Sequence, residues 1–283
     1  MPAFPCSRWL AGLVLALAFA LSAVPSASAE TRTLKLYFIH TKERAEITYK
    51  RNGRYLKSGL NEINRFLRDW RRNEPTKMDT ELLDLLWEVY RASGSRDYIH
   101  VISAYRSPQT NAMLRKRSGG VAKKSQHMLG KAIDFYLPDV KLSKLRGVAL
   151  KAQYGGVGYY PKSGSPFIHL DVGSVRHWPR MNRNQLQALF PDGKSLHVPS
   201  DGKPLPGYQQ ALASYERRKA RGTVVIADDS GRRSGGGGNL LAALFGGGAD
   251  DEEDSAEAAA PAPRATARAA APAPQRQPEP VDT

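Results

Sequence analysis

Residues 167–172 read Phe167-Ile168-His169-Leu170-Asp171-Val172. Alternation of this kind predicts a half-buried β-strand. Ile168, Leu170 and Val172 point toward a core, and His169 and Asp171 emerge together on the opposite face. Upstream lies Ser125-Gln126-His127-Met128-Leu129-Gly130-Lys131-Ala132-Ile133-Asp134-Phe135. Ala132 to Leu137 predicts a second strand, with Ile133 and Phe135 inward and Asp134 outward beside Tyr136. His127 falls in the loop before that strand, and Gly130 lets the backbone turn tightly enough for loop and strand to converge. If the two strands pair, His127, Asp134 and His169 meet at one point.

Two imidazoles and one carboxylate suit a tetrahedral zinc with a fourth position left for water. The competing reading is an ordinary strand pair with a wet polar face. Zinc would bring the pKa of its water to about 7 and polarise a carbonyl. Amide hydrolysis then needs a base. Asp171, on the same face as His169, is the nearest candidate, although it can equally act as a partner of His169 or replace it as ligand. His177 is a less favoured base. Arg106, in Ser103-Ala104-Tyr105-Arg106-Ser107, leaves a strand end, where a guanidinium can bind a substrate carboxylate or stabilise an oxyanion. Tyr159 and Tyr160 alternate, so one faces the cleft and the other packs; Tyr160 is the candidate for substrate contact.

The surrounding chain gives these residues a compartment. Arg8 precedes the apolar run Trp9–Leu21, and Ala27-Ser28-Ala29 has the spacing of a leader cleavage site, so 1–29 reads as a secretory signal peptide. The run is short for a membrane anchor, and the mature chain is expected to make no stable membrane insertion. The one cysteine, Cys6, lies inside that leader, so a metal must be held by His, Asp or Glu. The formal charge of +15 on an exported chain points to anionic polymers of the cell envelope and away from nucleic acid.

Thr33–Ile39 and Glu46–Tyr49 predict a hairpin. Ile63, Phe66, Leu67 and Trp70 lie at helical spacing, and Leu82–Tyr90 form a second helix capped by Asp79 and ended by Gly94. Tyr98–Ser103 is a strand, Thr110–Arg117 a helix broken by Ser118-Gly119-Gly120, and Leu142–Gln153 a helix ended by Gly155-Gly156. Val157–Tyr160 is a strand joined to the 167–172 strand by a turn-rich link. Possible helices follow at Asn184–Phe190 and Tyr208–Ala220. From Gly222 the glycine, acidic and Ala/Pro/Arg runs cannot build a core, and Asn239–Phe245 reads as an unstructured hydrophobic blip within them, with a short docking helix as the alternative. The organisation expected is a signal peptide over 1–29, a zinc peptidase domain over 30–180, a C-terminal extension over 181–221 and a disordered tail over 222–283. Composition does not name a protein partner for that tail.

The segments AYRSPQTNAMLRKRSGGVAKKSQHMLGKAIDF and GGVGYYPKSGSPFIHLDVGSVRHW resemble the MepK-type murein endopeptidases, within the zinc D-Ala-D-Ala peptidase superfamily. The resemblance spans roughly Leu34 to Trp178. It implies an α+β fold, a small antiparallel sheet with packed helices, and zinc-dependent cleavage of peptide cross-links in peptidoglycan. It also places the H-x6-D pair on His127 and Asp134, the downstream histidine ligand on His169, and the arginine on Arg106. Many superfamily members carry a base three residues before the last histidine, or an H-x-H pair. Here Pro166 and His169-x-Asp171 stand in those places. Other functions compatible with the same residues are a catalytically inactive module that binds peptidoglycan stem peptides without hydrolysing them and a D-alanyl carboxypeptidase.

Overall fold

The computed structural model describes residues 30–117 and 121–221. The expected leader over 1–29, the expected break at Ser118–Gly120, the expected tail from Gly222 and its Asn239–Phe245 segment lie outside the described residues. No helix among the described residues is long and apolar enough to cross a membrane.

The fold is α+β, as expected. Strands β1 (Thr31–Phe38) and β2 (Arg44–Arg51) form the predicted hairpin, and β3 (Arg54–Tyr55) adds a short edge. Helices α1 (Lys57–Phe66) and α2 (Thr80–Ser93) lead to β4 (Ile99–Ser103). Then come α3 (Pro108–Arg117), β5 (Ala132–Tyr136), α4 (Leu142–Ala152), β6 (Gly156–Tyr160), β7 (Phe167–Asp171) and β8 (Arg176–Trp178). Helices α5 (Arg183–Leu189) and α6 (Tyr208–Ala220) are the last elements among the described residues. All eight strands share one sheet, in the order β3-β2-β1-β4-β5-β7-β6-β8. That sheet is larger than the small antiparallel one expected, and it is mixed: β1 pairs β4 in parallel, and so does β6 with β8. The parallel pairing of β1 and β4 follows from the two helices that cross over between them.

Helices α1, α2 and α4 cover one sheet face. Leu34, Leu36, Phe38, Ile133, Phe135, Ile168 and Leu170 from the strands close against Leu82, Leu86 and Val89 of α2 and Leu145 and Leu150 of α4. The caps of α2 are those its sequence predicts: the Asp79 carboxylate accepts from Glu81 N–H at 2.8 Å, and Gly94 ends the helix at φ 75°. Two acids on α2, Asp84 and Glu88, are buried. Arg32 bridges both at 3.2 Å, and Lys50 reaches Asp84 at 2.6 Å, so the charges that α2 carries inward also hold it to β1 and β2.

Helix α1 is shorter than its apolar spacing predicts. It ends at Phe66, and Trp70 falls outside it. The reason is Asp69, which is 1% exposed. Its carboxylate accepts from Ser107 N–H at 3.0 Å, Ser107 Oγ–H at 2.6 Å and Arg71 N–H at 3.0 Å. Those bonds require a turn where periodicity alone continues the helix. Helix α4 also stops earlier than expected, because Gln153 adopts the left-handed conformation at φ 46°.

The segment after β8 packs back on the domain. Leu186, Phe190 and Leu205 form a small core of their own. Gln153 accepts from Leu196 N–H at 2.6 Å, Arg218 donates to Gln153 O at 3.0 Å, and Lys219 pairs with Glu81 at 2.8 Å.

Candidate metal centre

Strands β5 and β7 are antiparallel neighbours, and their register sets Asp134 opposite His169 and Ala132 opposite Asp171. Because side chains alternate, that register puts Asp134, His169 and Asp171 on the face that the helices leave uncovered. His127 arrives from a 3-10 turn, Gln126–Leu129. The Ser125 hydroxyl caps this turn by accepting from His127 N–H, and Gly130 closes it at φ 65°. A Cβ on Gly130 would lie 2.9 Å from Lys77 O, so the turn needs glycine for its conformation and for its closeness to the chain beneath.

Three of the residues singled out by sequence come together. His169 Nδ1 lies 2.9 Å from Asp134 Oδ1, His127 Nε2 lies 3.2 Å from His169 Nδ1, and His127 Nε2 lies 3.3 Å from Asp134 Oδ2. All three residues are buried. Donors held tetrahedrally at zinc–ligand bonds of about 2.0–2.1 Å stand about 3.3 Å apart, which is the spacing seen.

The outer nitrogens of both rings are already engaged. His127 Nδ1 is 2.6 Å from Ala104 O, and a carbonyl can only accept, so the proton is on Nδ1 and the Nε2 lone pair faces the cluster. His169 Nε2 is 2.9 Å from Asp171 Oδ2, which places its proton on Nε2 and its Nδ1 lone pair toward Asp134 and His127. Without a metal, burial disfavours the imidazolium of His169, but the hydrogen bonds to Asp134 and Asp171 outweigh burial and raise it to about 10. Burial likewise raises the Asp134 carboxyl, yet the His127 and His169 rings beside it hold it below the ordinary carboxylate range.

Asp171 sits behind His169, on the side away from the cluster. Its Oδ1 accepts from Gly156 N–H at 3.1 Å, Gly173 N–H at 2.7 Å and Arg176 at 3.1 Å, and its Oδ2 accepts from His169 and from Arg176 at 2.9 Å. It has no exposed surface. Burial raises this carboxyl too, but its bonds to His169 and Arg176 outweigh that and keep it ionised.

Arg106 is held close by through its main chain: its N–H donates to His127 O at 3.2 Å. Its guanidinium is 2% exposed and donates to Asn111 Oδ1 at 3.3 Å. Tyr160 lies on the cluster's face of β6, stacked on Phe167 at 4.6 Å, and its hydroxyl accepts from Trp178 Nε1 at 2.6 Å. Tyr159 turns to the other face and carries Arg146 over its ring at 4.7 Å. His177 points away from the cluster, into the extension, where its Nε2 accepts from Met181 N–H at 2.9 Å.

Several residues of this site were not singled out from sequence. Trp178 lies 5.1 Å from the His169 ring, and a Cβ on Gly158 would strike its indole at 2.7 Å, so Gly158 is the space in which Trp178 rests. A Cβ on Gly155 would come within 1.8 Å of Asp171 O, and one on Gly156 within 2.4 Å of Asp171 Oδ2. The glycine pair read as a helix stop is also what lets β6 close on Asp171. Alternation along Arg176-His177-Trp178 contained the signal: it puts Arg176 and Trp178 on one face and His177 on the other.

A loop histidine, a strand aspartate and a second strand histidine on one face of an α+β sheet could hold a single metal ion, as mononuclear hydrolase sites do. The model of the family described as peptidoglycan L,D-endopeptidase MepK matches residues 26–178, more than half of the chain, and the chain belongs to that family. It is 42% identical over 147 residues to the peptidoglycan L,D-endopeptidase MepK of Escherichia coli strain K12, covering 52% of this chain and 80% of that protein. It is 41% identical over 148 residues to the probable peptidoglycan L,D-endopeptidase MepK of Haemophilus influenzae, covering 52% and 78%. No solved structure matches. The matched span contains Arg106, His127, Asp134, Tyr160, His169 and Asp171; residues 181–221 lie beyond it.

Proposed function

We propose that this chain is an exported zinc endopeptidase that hydrolyses peptide cross-links of peptidoglycan. One observation carries the reading: three ligating atoms from a loop and two paired strands face one another, with both ring tautomers set from behind by Ala104 and Asp171. His127, Asp134 and His169 would hold the zinc. Bound there, it supplies a Lewis acid that acidifies water and polarises an amide carbonyl.

The remaining roles belong to the chain itself. Ala104 O and Asp171 keep the two imidazoles from turning. Asp171 acts as a positioning residue for His169 and not as the base, because five donors already occupy its oxygens. Arg106, tied to the His127 carbonyl, serves a substrate carboxylate or the developing oxyanion. Tyr160, Phe167 and Trp178 form an apolar wall that excludes water beside the cluster and contacts the peptide. Family membership and the names of the relatives support cross-linked stem peptides as substrate and an L,D-bond as the target. The leader at 1–29 supports a periplasmic location.

The test is digestion of defined cross-linked muropeptides by the purified mature protein, with and without chelator, read by mass spectrometry. Dimers split to monomers only in the metal-loaded reaction are the expected result. Intact dimers would leave a wall-binding module, and loss of terminal D-alanine alone would make it a carboxypeptidase.

A further inference from the structure

A cavity of about 580 Å³ opens where β6 ends, between α4, the β6–β7 turn and the chain leaving β8. Arg146, Lys162 and Arg180 all line it, and among the described residues its wall has no acidic side chain. Arg146 is 8% exposed; it stacks on Tyr159 and donates through Nη2 to Pro179 O, yet its buried Nε has no hydrogen-bond partner. Lys162 and Arg180 are exposed and form no ion pair among the described residues. A buried guanidinium with no carboxylate beside it is unfavourable unless a ligand supplies an anion. The volume falls in the range of small-ligand sites.

The cavity adjoins the metal cluster through a shared wall. Tyr160 lines it, and the Tyr160 hydroxyl is bonded to Trp178, whose ring lies beside His169. On β6 the residue opposite His169 is Gly158. Tyr160 is two residues further on, about 7 Å along the strand. Arg146 and Tyr159 lie on the helix-covered side of the sheet, so a peptide cut at the cluster reaches the cavity where it rounds the end of β6, with a group a few residues from the scissile bond.

We infer that Arg146, Lys162 and Arg180 form a carboxylate-binding subsite that holds an acidic side group of the stem peptide while a nearby bond is cut. Arginine offers the planar fork that carboxylates fit, and the exposed lysine and arginine draw the anion in. Arg180 and Gln185, which close one side, come from the chain beyond the family match, so this wall is supplied by the C-terminal extension and the segment leading into it. The inference rests on the endopeptidase reading for the identity of the peptide, not for the charge of the site.

The experiment uses the zinc-loaded mature chain, a cross-linked stem-peptide dimer as free acid and in amidated form, and the surface double variant Lys162→Ala/Arg180→Ala. The wild type should favour the free acid about tenfold in kcat/KM, with the difference in KM. The double variant should lose that preference. In parallel, calorimetry follows binding of a free-acid tetrapeptide that contains no cross-link; its affinity should fall about tenfold in the double variant and in Arg146→Met. A wild type indifferent to amidation, or a double variant with wild-type preference and wild-type tetrapeptide affinity, overturns the inference. Should the wild type cleave neither dimer, the endopeptidase reading fails alone. The tetrapeptide arm then decides the subsite: weakened binding in the double variant supports it, and unchanged binding refutes it.

Discussion

Replacing Asp171 with Asn separates the two roles open to this residue, because the side chains have one shape and different hydrogen-bonding capacity. The carboxylate accepts five hydrogen bonds, three at Oδ1 and two at Oδ2. An amide has one accepting oxygen. The arrangement that preserves most contacts keeps that oxygen toward Gly156 and Gly173 and turns the NH2 group toward His169 and Arg176. There it meets a ring N–H and a guanidinium, both donors. Relief requires the His169 proton to move to Nδ1, the atom that faces His127 and Asp134. Removing one partner of a buried ion pair costs about 3–5 kcal/mol, and the amide's retained acceptor argues for about 3. Loss of an outer-sphere partner of a ligating histidine costs about 10- to 100-fold in metal affinity. Urea denaturation of metal-free protein reads the first effect, and zinc competition against a chromophoric chelator reads the second. A base, by contrast, could be replaced by Asn with zinc affinity intact and only turnover lost. Zinc affinity within twofold of wild type would refute the positioning role.

Three further expectations follow from the same geometry. Zinc should raise the Tm of the wild type in proportion to its logarithmic concentration, by about 4 kcal/mol of stability at a thousandfold excess over Kd, and differential scanning fluorimetry should show no such rise for His127→Ala. Gly158→Ala should push Trp178 off β6, because the new methyl would lie 2.7 Å from the indole; a red-shifted tryptophan emission and a loss of about 1–3 kcal/mol in urea are expected. The buried pair His177 and His197, with rings 5.0 Å apart, should make the fold acid-sensitive. Burial, then Arg146 and Arg180, lowers His177 to about 4; burial, then His177, lowers His197 to about 3. Both folded values are below the unfolded value of about 6.5, so the unfolded chain takes up protons first as pH falls. The contribution is complete above pH 6.5 and declines toward pH 4, on the order of 3 kcal/mol for one histidine. Urea midpoints of metal-free protein between pH 7 and 4.5 should fall less steeply for His197→Gln than for wild type.

The parts of this site that sequence revealed are those that alternation reports directly. Ile168, Leu170 and Val172 are core, and His169 and Asp171 share the other face, because a strand admits only two directions for a side chain. What alternation lacks is the neighbour. That β5 lies beside β7, with Asp134 opposite His169, is a pairing between residues 35 positions apart, and it turns two weak polar strands into one cluster. The same limit hid the parallel pairing of β1 with β4 and the early end of α1, where a buried bond from Asp69 to Ser107 overrides local periodicity. It also hid the second use of Gly155 and Gly156. A glycine after a helix reads as a stop, and only the strand packed on it shows that a side chain there would displace Asp171. The loss is uneven in a way that bears on function. Ligating residues advertise themselves by type, whereas the groups that orient them are a backbone carbonyl at Ala104, a space at Gly158 and an arginine at 176, none of which is chemically distinctive in one dimension. Substitutions at Gly158 and Arg176 therefore should leave the ligand set intact and still shift metal affinity, which makes them the sharper probes of whether the cluster is a working centre; the Ala104 carbonyl, being main chain, survives any side-chain change.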